Sequence, residues 1–215
     1  MKVSSREIDH LFATPVTVIQ FEDTEKIKSY GKIIIDNLNE QQKENLKLMG
    51  HCTSEKDNLH LNEKFFNLFK SINDEVNLYF DEYLGLNESD VRMECSWYNV
   101  HTYKSNHSAH EHPNSFYTGV LYLEIEGESN KAGDIYFMDP RSAKNMTFPD
   151  FKKESSLSHR DWWYTPEIGT MLLFPSWLTH GVKTCLLDEG KYRVALSFTY
   201  SITKASYYTM KLGYY

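Results

Sequence analysis

The pattern of hydrophobic and polar positions divides the chain near residue 90. Before it, apolar residues recur at helical spacing, after a β-branched opening strand over residues 12–21. Asp23 and Thr24 can cap a first helix. Its apolar positions are Ile27, Tyr30, Ile34 and Leu38. Residues 39–60 are polar and predict a loop with a short helix.

The strongest helical pattern spans residues 61–84 and stops at Gly85. Its predicted apolar face consists of Leu61, Phe65, Phe69, Ile72, Val76, Tyr79 and Tyr83. We interpret this aromatic stripe as core packing rather than as a binding surface.

After residue 90 the pattern alternates with period two, which is typical of strands with one buried face. The candidate strands are residues 92–101, 117–125, 133–138, 169–174, 180–186 and 191–201. Short strands in succession without helices between them favour a sandwich or jelly roll. The predicted fold class is therefore mainly β with N-terminal helices (α+β). The aromatic insert 139–168 contains Trp162 and Trp163, which form either a substrate lid or a packed contact.

We predict one domain over residues 1–215. Residues 1–90 supply a strand and helices that cover the roll, and residues 91–201 form the roll. Residues 202–215 form a tyrosine-rich tail that caps the roll or mediates a homodimer contact.

Composition narrows the function classes. A formal charge of −7 and a pI of about 5.7 disfavour nucleic-acid or anionic-membrane partners. Three cysteines without a CxxC pair indicate neither a disulfide framework nor a zinc ribbon, so a reducing, cytoplasmic setting is expected. No apolar run is long enough to span a membrane, and the N-terminus lacks a signal pattern.

Histidines are the main candidates for chemistry. Residues 101–113, HTYKSNHSAHEHP, hold four of the nine histidines. In a strand, His110 and His112 would point to the same face and could bind one metal ion. His180, in FPSWLTHGV, is the best candidate for a third ligand. Such imidazole sets suit Fe(II), Cu or Zn, and the alternative is a histidine-rich surface loop.

Arg193 is the second candidate. On the strand 191–201, it shares a face with Ala195, Ser197 and Thr199, whereas the other face is apolar. A guanidinium beside small and hydroxylated residues can bind a carboxylate through two hydrogen bonds. The alternative is an arginine exposed on an edge strand.

The order of these segments resembles a known family. The segments are WYNV at 97–100, HEHPNSFYTGVLYL, GDIYFMDPR, PEIGTMLLFPSWLTHGV and YRVALSFTYSI. Together they resemble the Fe(II)- and 2-oxoglutarate-dependent oxygenases. More closely, they are similar to a family with HxHPxSxxSGVYYL-like and FPSWLxHxV motifs, which is frequent in phages of marine cyanobacteria and in marine bacteria.

The resemblance implies a double-stranded β-helix (a jelly roll, cupin-like) that uses Fe(II), 2-oxoglutarate and O2. It implies that His110 and His180 are the outer metal ligands, and that Arg193 with Ser197 binds the distal carboxylate of 2-oxoglutarate. Asn99 and Tyr122 would line the pocket. The implied reaction hydroxylates a substrate and forms succinate and CO2, in the host cytoplasm if the gene belongs to a phage.

The chain departs from the usual ligand pattern at one position. His112 occupies the place where the superfamily has a carboxylate. Either His112 is the third ligand, or a carboxylate comes from Asp134 or Asp139, or His112 is the first ligand and His110 only supports it. We predict His110, His112 and His180.

Two other functions compete with the oxygenase. A cupin-type metal enzyme would use no 2-oxoglutarate, and a non-catalytic β-roll would only bind a partner. Arg193 discriminates between these, because a cupin-type enzyme needs no carboxylate anchor on the last strand. The primary substrate, a small molecule or a protein side chain, is not identified by the sequence, and nucleic acid is disfavoured.

Overall fold

A computed structural model describes residues 13–141, 150–153 and 158–203. Three α-helices precede most of the strands: α1, Thr24–Asp36; α2, Glu40–Met49; and α3, Phe66–Leu84. The strands are β1, Thr17–Gln20; β2, His51–Thr53; β3, Val91–Thr102; β4, His107–His110; β5, Tyr117–Ile125; β6, Ile135–Met138; β7, Asp161–Tyr164; β8, Thr170–Pro175; β9, His180–Val182; and β10, Tyr192–Ile202.

The strands form two sheets in which every named pair is antiparallel. The larger sheet has the order β1-β8-β5-β10-β3-β2, and the smaller has the order β4-β9-β6-β7. The chain crosses repeatedly from one sheet to the other, as β5 to β6 and β8 to β9 show. This arrangement is a double-stranded β-helix, so the predicted fold class is confirmed.

The helices cover one face of the larger sheet. Asp23 accepts a hydrogen bond from the Lys26 backbone N–H at 3.0 Å and so caps α1 as predicted. Gly85 ends α3 in the left-handed conformation, with φ of 64°. The core formed by α1 and α3 against the sheet includes Ile34, Ile72, Val76, Phe80, Leu121, Leu123, Leu196 and Phe198.

The predicted apolar face of residues 61–84 needs two corrections. Leu61 and Tyr83 are exposed, and Leu68 and Phe80 are buried in their place. The reason is that α3 begins only at Phe66, after two short 3-10 turns, so the helical period does not extend back to Leu61. The other five predicted positions are buried, so the predicted face is kept along most of the segment and differs only near its ends.

Strand β10 separates the helix-covered core from the interior of the roll. Val194, Leu196 and Phe198 face the helices. Arg193, Ala195 and Ser197 line a cavity on the other side. The alternation predicted for this strand is therefore present, and it places a charged side chain between the two sheets.

The sequence analysis did not predict three of the strands, namely β2, β4 and β7. All are short, and β4 and β7 lack alternation because their residues are mostly exposed. Trp162 and Trp163 lie on β7 and are each 42% exposed, so neither is a core residue. The tail segment 204–215, predicted to cap the roll or mediate dimer contact, lies outside the described residues. Among the residues described, no helix is long and apolar enough to cross a membrane.

Candidate metal centre and adjoining cavity

Three histidines converge at the open end of the smaller sheet. His110 ends β4 and pairs directly with His180, which begins β9. His112 lies beyond β4, and its backbone N–H donates to the Ser176 carbonyl at 3.0 Å. One ring nitrogen from each of the three lies within 4.8 Å of the others. His112 thus reaches this cluster from a loop, and not through the strand geometry that the i, i+2 spacing suggested.

Backbone carbonyls determine the tautomers of two of these rings. His110 Nδ1 lies 2.9 Å from the Ser108 carbonyl, and His180 Nδ1 lies 2.8 Å from the Leu178 carbonyl. A carbonyl oxygen can only accept, so each Nδ1 carries the proton and each Nε2 has a free lone pair. This is the state in which a histidine binds a metal ion through Nε2, with its other nitrogen held by a second partner.

The cluster also favours neutral imidazoles. Burial, followed by the neighbouring histidines His110 and His107, lowers the pKa of His112 to about 4. Burial lowers the pKa of His180 to about 3, although its hydrogen bond to the Leu178 carbonyl partly opposes this. At neutral pH both rings are therefore neutral imidazoles with one nitrogen free of a proton, as metal binding requires.

The nearby carboxylates are engaged elsewhere. Asp134 accepts hydrogen bonds from Thr165 at 3.0 Å and from Lys183 at 3.2 Å. Asp139 accepts two from the Arg141 guanidinium, at 2.9 and 2.7 Å. Glu111 accepts one from the Thr179 hydroxyl at 2.5 Å. Within the described ranges, no carboxylate joins the three histidines as a potential metal ligand.

Arg193 lies in the same cavity and is almost completely buried. Its Nη1 donates to the carbonyls of Ala132 and Gly133, at 3.1 and 2.9 Å. Its buried Nε has no hydrogen-bond partner among the described residues. Burial lowers its pKa, yet a guanidinium keeps its proton in proteins. A buried positive charge with an unused donor is costly unless an anion binds there.

The remaining predicted site residues line this cavity as well. Asn99 donates from its amide to the Ser197 hydroxyl at 3.2 Å. Tyr122 lies beneath the Arg193 guanidinium, 5.8 Å from its ring centre, and burial raises its pKa to about 12. The structure thus brings together His110, His112, His180, Arg193, Ser197, Asn99 and Tyr122.

Among the cavity residues that were not singled out from the sequence, three have a ring with a nitrogen atom. His101 and His107 line the cavity, and so does Trp97, whose ring lies 5.6 Å from that of His112. His101 and His107 belong to the histidine-rich stretch 101–113, which was the available signal. Their position beside Arg193 depends on strand pairing, which that signal does not contain.

Comparison with known proteins gives a family match for the segment that forms the roll. Residues 95–199 match the model of a family described as "Putative 2OG-Fe(II) oxygenase". Over these residues, just under half of the chain, the sequence is similar to that family of 2OG-Fe(II) oxygenases. The resemblance seen in the motifs is confirmed, and with it the enzyme class and its two cofactors, Fe(II) and 2-oxoglutarate. A search of curated proteins found no match.

Solved structures of low sequence identity share the fold of this chain. A prolyl-4-hydroxylase from Pseudomonas putida is 12% identical, with a TM-score of 0.59, over 90% of this chain and 96% of that one. EctD from S. alaskensis, solved with 2-oxoglutarate and 5-hydroxyectoine, is 12% identical, with a TM-score of 0.59, over 88% and 72%. HygX from Streptomyces hygroscopicus, solved with nickel and 2-oxoglutarate, is 13% identical, with a TM-score of 0.55, over 88% and 84%.

Proposed function

We propose that this oxygenase hydroxylates its primary substrate at a site built from the cavity described above. In this proposal His110, His112 and His180 hold Fe(II), and Arg193 binds the distal carboxylate of 2-oxoglutarate. Ser197, Asn99 and Tyr122 complete the pocket for the co-substrate. When bound, the metal and the keto acid supply O2 activation coupled to decarboxylation, with succinate and CO2 as products.

The donor set fits Fe(II). Two imidazoles have a fixed tautomer with Nε2 available, and the third lies within the same 4.8 Å cluster. A set of three protein ligands leaves coordination positions open for a chelating co-substrate and O2. The ring of Phe174 lies 4.7 Å from that of His180 and lines the same cavity, so one side of the site is apolar.

The single observation that carries the co-substrate assignment is the unpartnered Nε of Arg193. Nη1 is used by two backbone carbonyls, so the guanidinium is held in place while Nε stays free. Among the residues that the structure describes, no Asp or Glu lines the cavity. A carboxylate ligand would neutralise the buried charge and accept a charge-assisted hydrogen bond.

The same observation weighs against the two competing functions. A cupin-type enzyme that uses no 2-oxoglutarate has no need of a buried guanidinium in the cavity that its metal ligands line. A β-roll that only binds a partner needs neither the fixed tautomers nor the buried charge. The buried charge with its unused donor costs folding free energy unless a ligand offsets it.

We further infer the chemical class and the setting of the reaction. The net charge of −7 disfavours nucleic acid, so the proposed substrate is a small molecule or a protein side chain. Cys52, Cys95 and Cys185 are all free, which supports the expected reducing cytoplasm.

Arg193→Lys tests the assignment. Lysine keeps the positive charge but loses the planar guanidinium, so the variant should retain Fe(II) and bind 2-oxoglutarate about ten to a hundred times more weakly. The measurement is anaerobic titration of the Fe(II) protein with 2-oxoglutarate, followed by the charge-transfer absorption of the chelate. Absence of that band in the wild type, together with no succinate under oxygen, would refute the oxygenase proposal.

A further inference from the structure

We propose that His101 is a second anchor for the distal carboxylate of the co-substrate, and that its Nε2 takes up a proton when the carboxylate binds. This proposal rests on the proposed function, since it concerns the same pocket. It adds a residue that the motifs do not assign and a proton to the stoichiometry of co-substrate binding.

Strand pairing places His101 next to the arginine anchor. His101 on β3 lies directly opposite Arg193 on β10, so both side chains point to the same face of the sheet. His101 is only 2% exposed, and it lines the cavity together with Arg193. A ligand that reaches the free Nε of Arg193 therefore also comes within reach of the neighbouring imidazole.

The hydrogen bonds of His101 indicate which nitrogen is available. Its Nδ1 lies 3.1 Å from the Ser105 hydroxyl, and that hydroxyl donates to the Thr102 carbonyl at 2.7 Å. The one hydroxyl proton is thereby used, so Ser105 accepts from Nδ1–H of His101. Nε2 then carries a lone pair, and the hydrogen bond found for this ring among the described residues is made by Nδ1.

The charged groups around His101 are all cationic or can become so. Arg193 faces it from β10, His107 from β4 with ring centres 6.4 Å apart, and His51 from β2 with ring centres 6.0 Å apart. Burial first, and then these three neighbours, lower the pKa of His101 well below its ordinary value. Without a ligand the ring is therefore neutral at pH 7.

A bound carboxylate would instead favour the protonated state of His101. The unprotonated Nε2 and a carboxylate oxygen are both hydrogen-bond acceptors only. They therefore cannot share a hydrogen bond until a proton is added. The proton comes from solvent and is held between Nε2 and the carboxylate, and Nδ1–H keeps its bond to Ser105. The carboxylate also offsets the repulsion from Arg193, which raises the pKa of His101 in the complex.

Calorimetry of 2-oxoglutarate binding to anaerobic Fe(II) protein tests the proposal without turnover. Titration near pH 7, in buffers that differ in ionisation enthalpy, counts the protons taken up. The wild type should take up a proton fraction approaching one, and its affinity should fall as pH rises from 6 to 8. His101→Gln keeps an amide donor that needs no proton, so its uptake and pH dependence should disappear.

Two variants calibrate the size of the effect. His101→Leu removes the donor and should weaken 2-oxoglutarate binding by about ten- to a hundredfold, with His101→Gln in between. His51→Gln is the matched control, because His51 stacks on His101 but does not line the cavity. It should leave the affinity near that of the wild type. Pyruvate, which lacks the distal carboxylate, should bind wild type and His101→Leu alike.

The outcomes separate this proposal from the one on which it rests. If His101→Gln and His101→Leu keep full Fe(II) stoichiometry and bind 2-oxoglutarate with wild-type affinity and proton uptake, the role of His101 is refuted and the oxygenase assignment stands. If the wild type itself binds no 2-oxoglutarate, the proposed function fails first. Should the leucine variant not fold, as its melting curve would show, His101→Gln alone decides.

Discussion

At the scale of single residues, the third imidazole distinguishes this site from a site with two histidines and a carboxylate. An aspartate ligand would cancel part of the metal charge, whereas three neutral imidazoles leave Fe(II) with both of its positive charges. Asp134 and Asp139, the two carboxylates that the sequence kept open, are held by Lys183 and Arg141. The geometry therefore supports His112 as the third ligand.

His112→Ala should weaken Fe(II) binding by more than the roughly 10–100-fold that loss of an outer-shell partner costs. Asp134→Ala and Asp139→Ala are the matched controls and should bind Fe(II) like the wild type. The measurement is anaerobic titration with metal analysis. Retention of iron by His112→Ala, with its loss from either aspartate variant, would show that the three-histidine assignment is wrong.

At the scale of elements, a short 3-10 helix spans Ser129–Lys131, and the turn between it and β6 holds the arginine anchor. Gly133 has φ of 83°, and its carbonyl accepts a hydrogen bond from Arg193. A Cβ at this position would lie 2.6 Å from the Lys183 carbonyl. The turn therefore requires glycine for two reasons, the backbone conformation and the close approach of a neighbouring strand connection.

Gly133→Ala should destabilise the protein and also weaken 2-oxoglutarate binding, because the carbonyl that positions Arg193 must move. Gly190→Ala is the matched control, since Gly190 has φ of 84° but no atom within 4 Å of the added Cβ. That variant should lose only about 1–2 kcal/mol for the left-handed conformation. Urea unfolding and co-substrate titration measure both effects. Equal losses in the two variants would contradict the role of the turn.

At the scale of the whole molecule, the two faces of the larger sheet have different tasks. One face packs against α1 and α3 and carries the hydrophobic core. The other encloses a cavity lined by five histidines and one arginine. The packing of the first face therefore offsets the free-energy cost of burying polar groups on the second face. Because several of those groups are histidines, the stability of the protein depends on pH.

The metal-free protein should lose stability as pH falls from about 6.5 towards 4. Burial lowers the pKa of His180 to about 3, whereas in the unfolded chain it is near 6.5, so the unfolded state binds protons first. Between pH 6.5 and 5, this residue alone should account for about 1–2 kcal/mol. Urea unfolding of the chelator-treated wild type and His180→Gln measures the difference. A pH dependence that is identical in both would contradict the prediction.

The sequence by itself determined what depends on local period and local chemistry. Alternation along β10 predicted that Arg193, Ala195 and Ser197 would share the face opposite the apolar residues, because successive strand residues point to opposite sides. The N-cap of α1 at Asp23 and the end of α3 at Gly85 were likewise predicted from the sequence. The motifs indicated the family, and residues 95–199 match it.

Only the tertiary structure decided which groups meet. His112 stands outside any strand, and it joins His110 and His180 because the loop after β4 is held to Ser176. His101 lies beside Arg193 because β3 and β10 pair in one particular register. Strand pairing between distant segments creates these neighbours, whereas the period of one segment determines only which side each residue faces. The unpartnered Nε of Arg193 is likewise a property of the assembled cavity, since its surroundings come from several strands and turns.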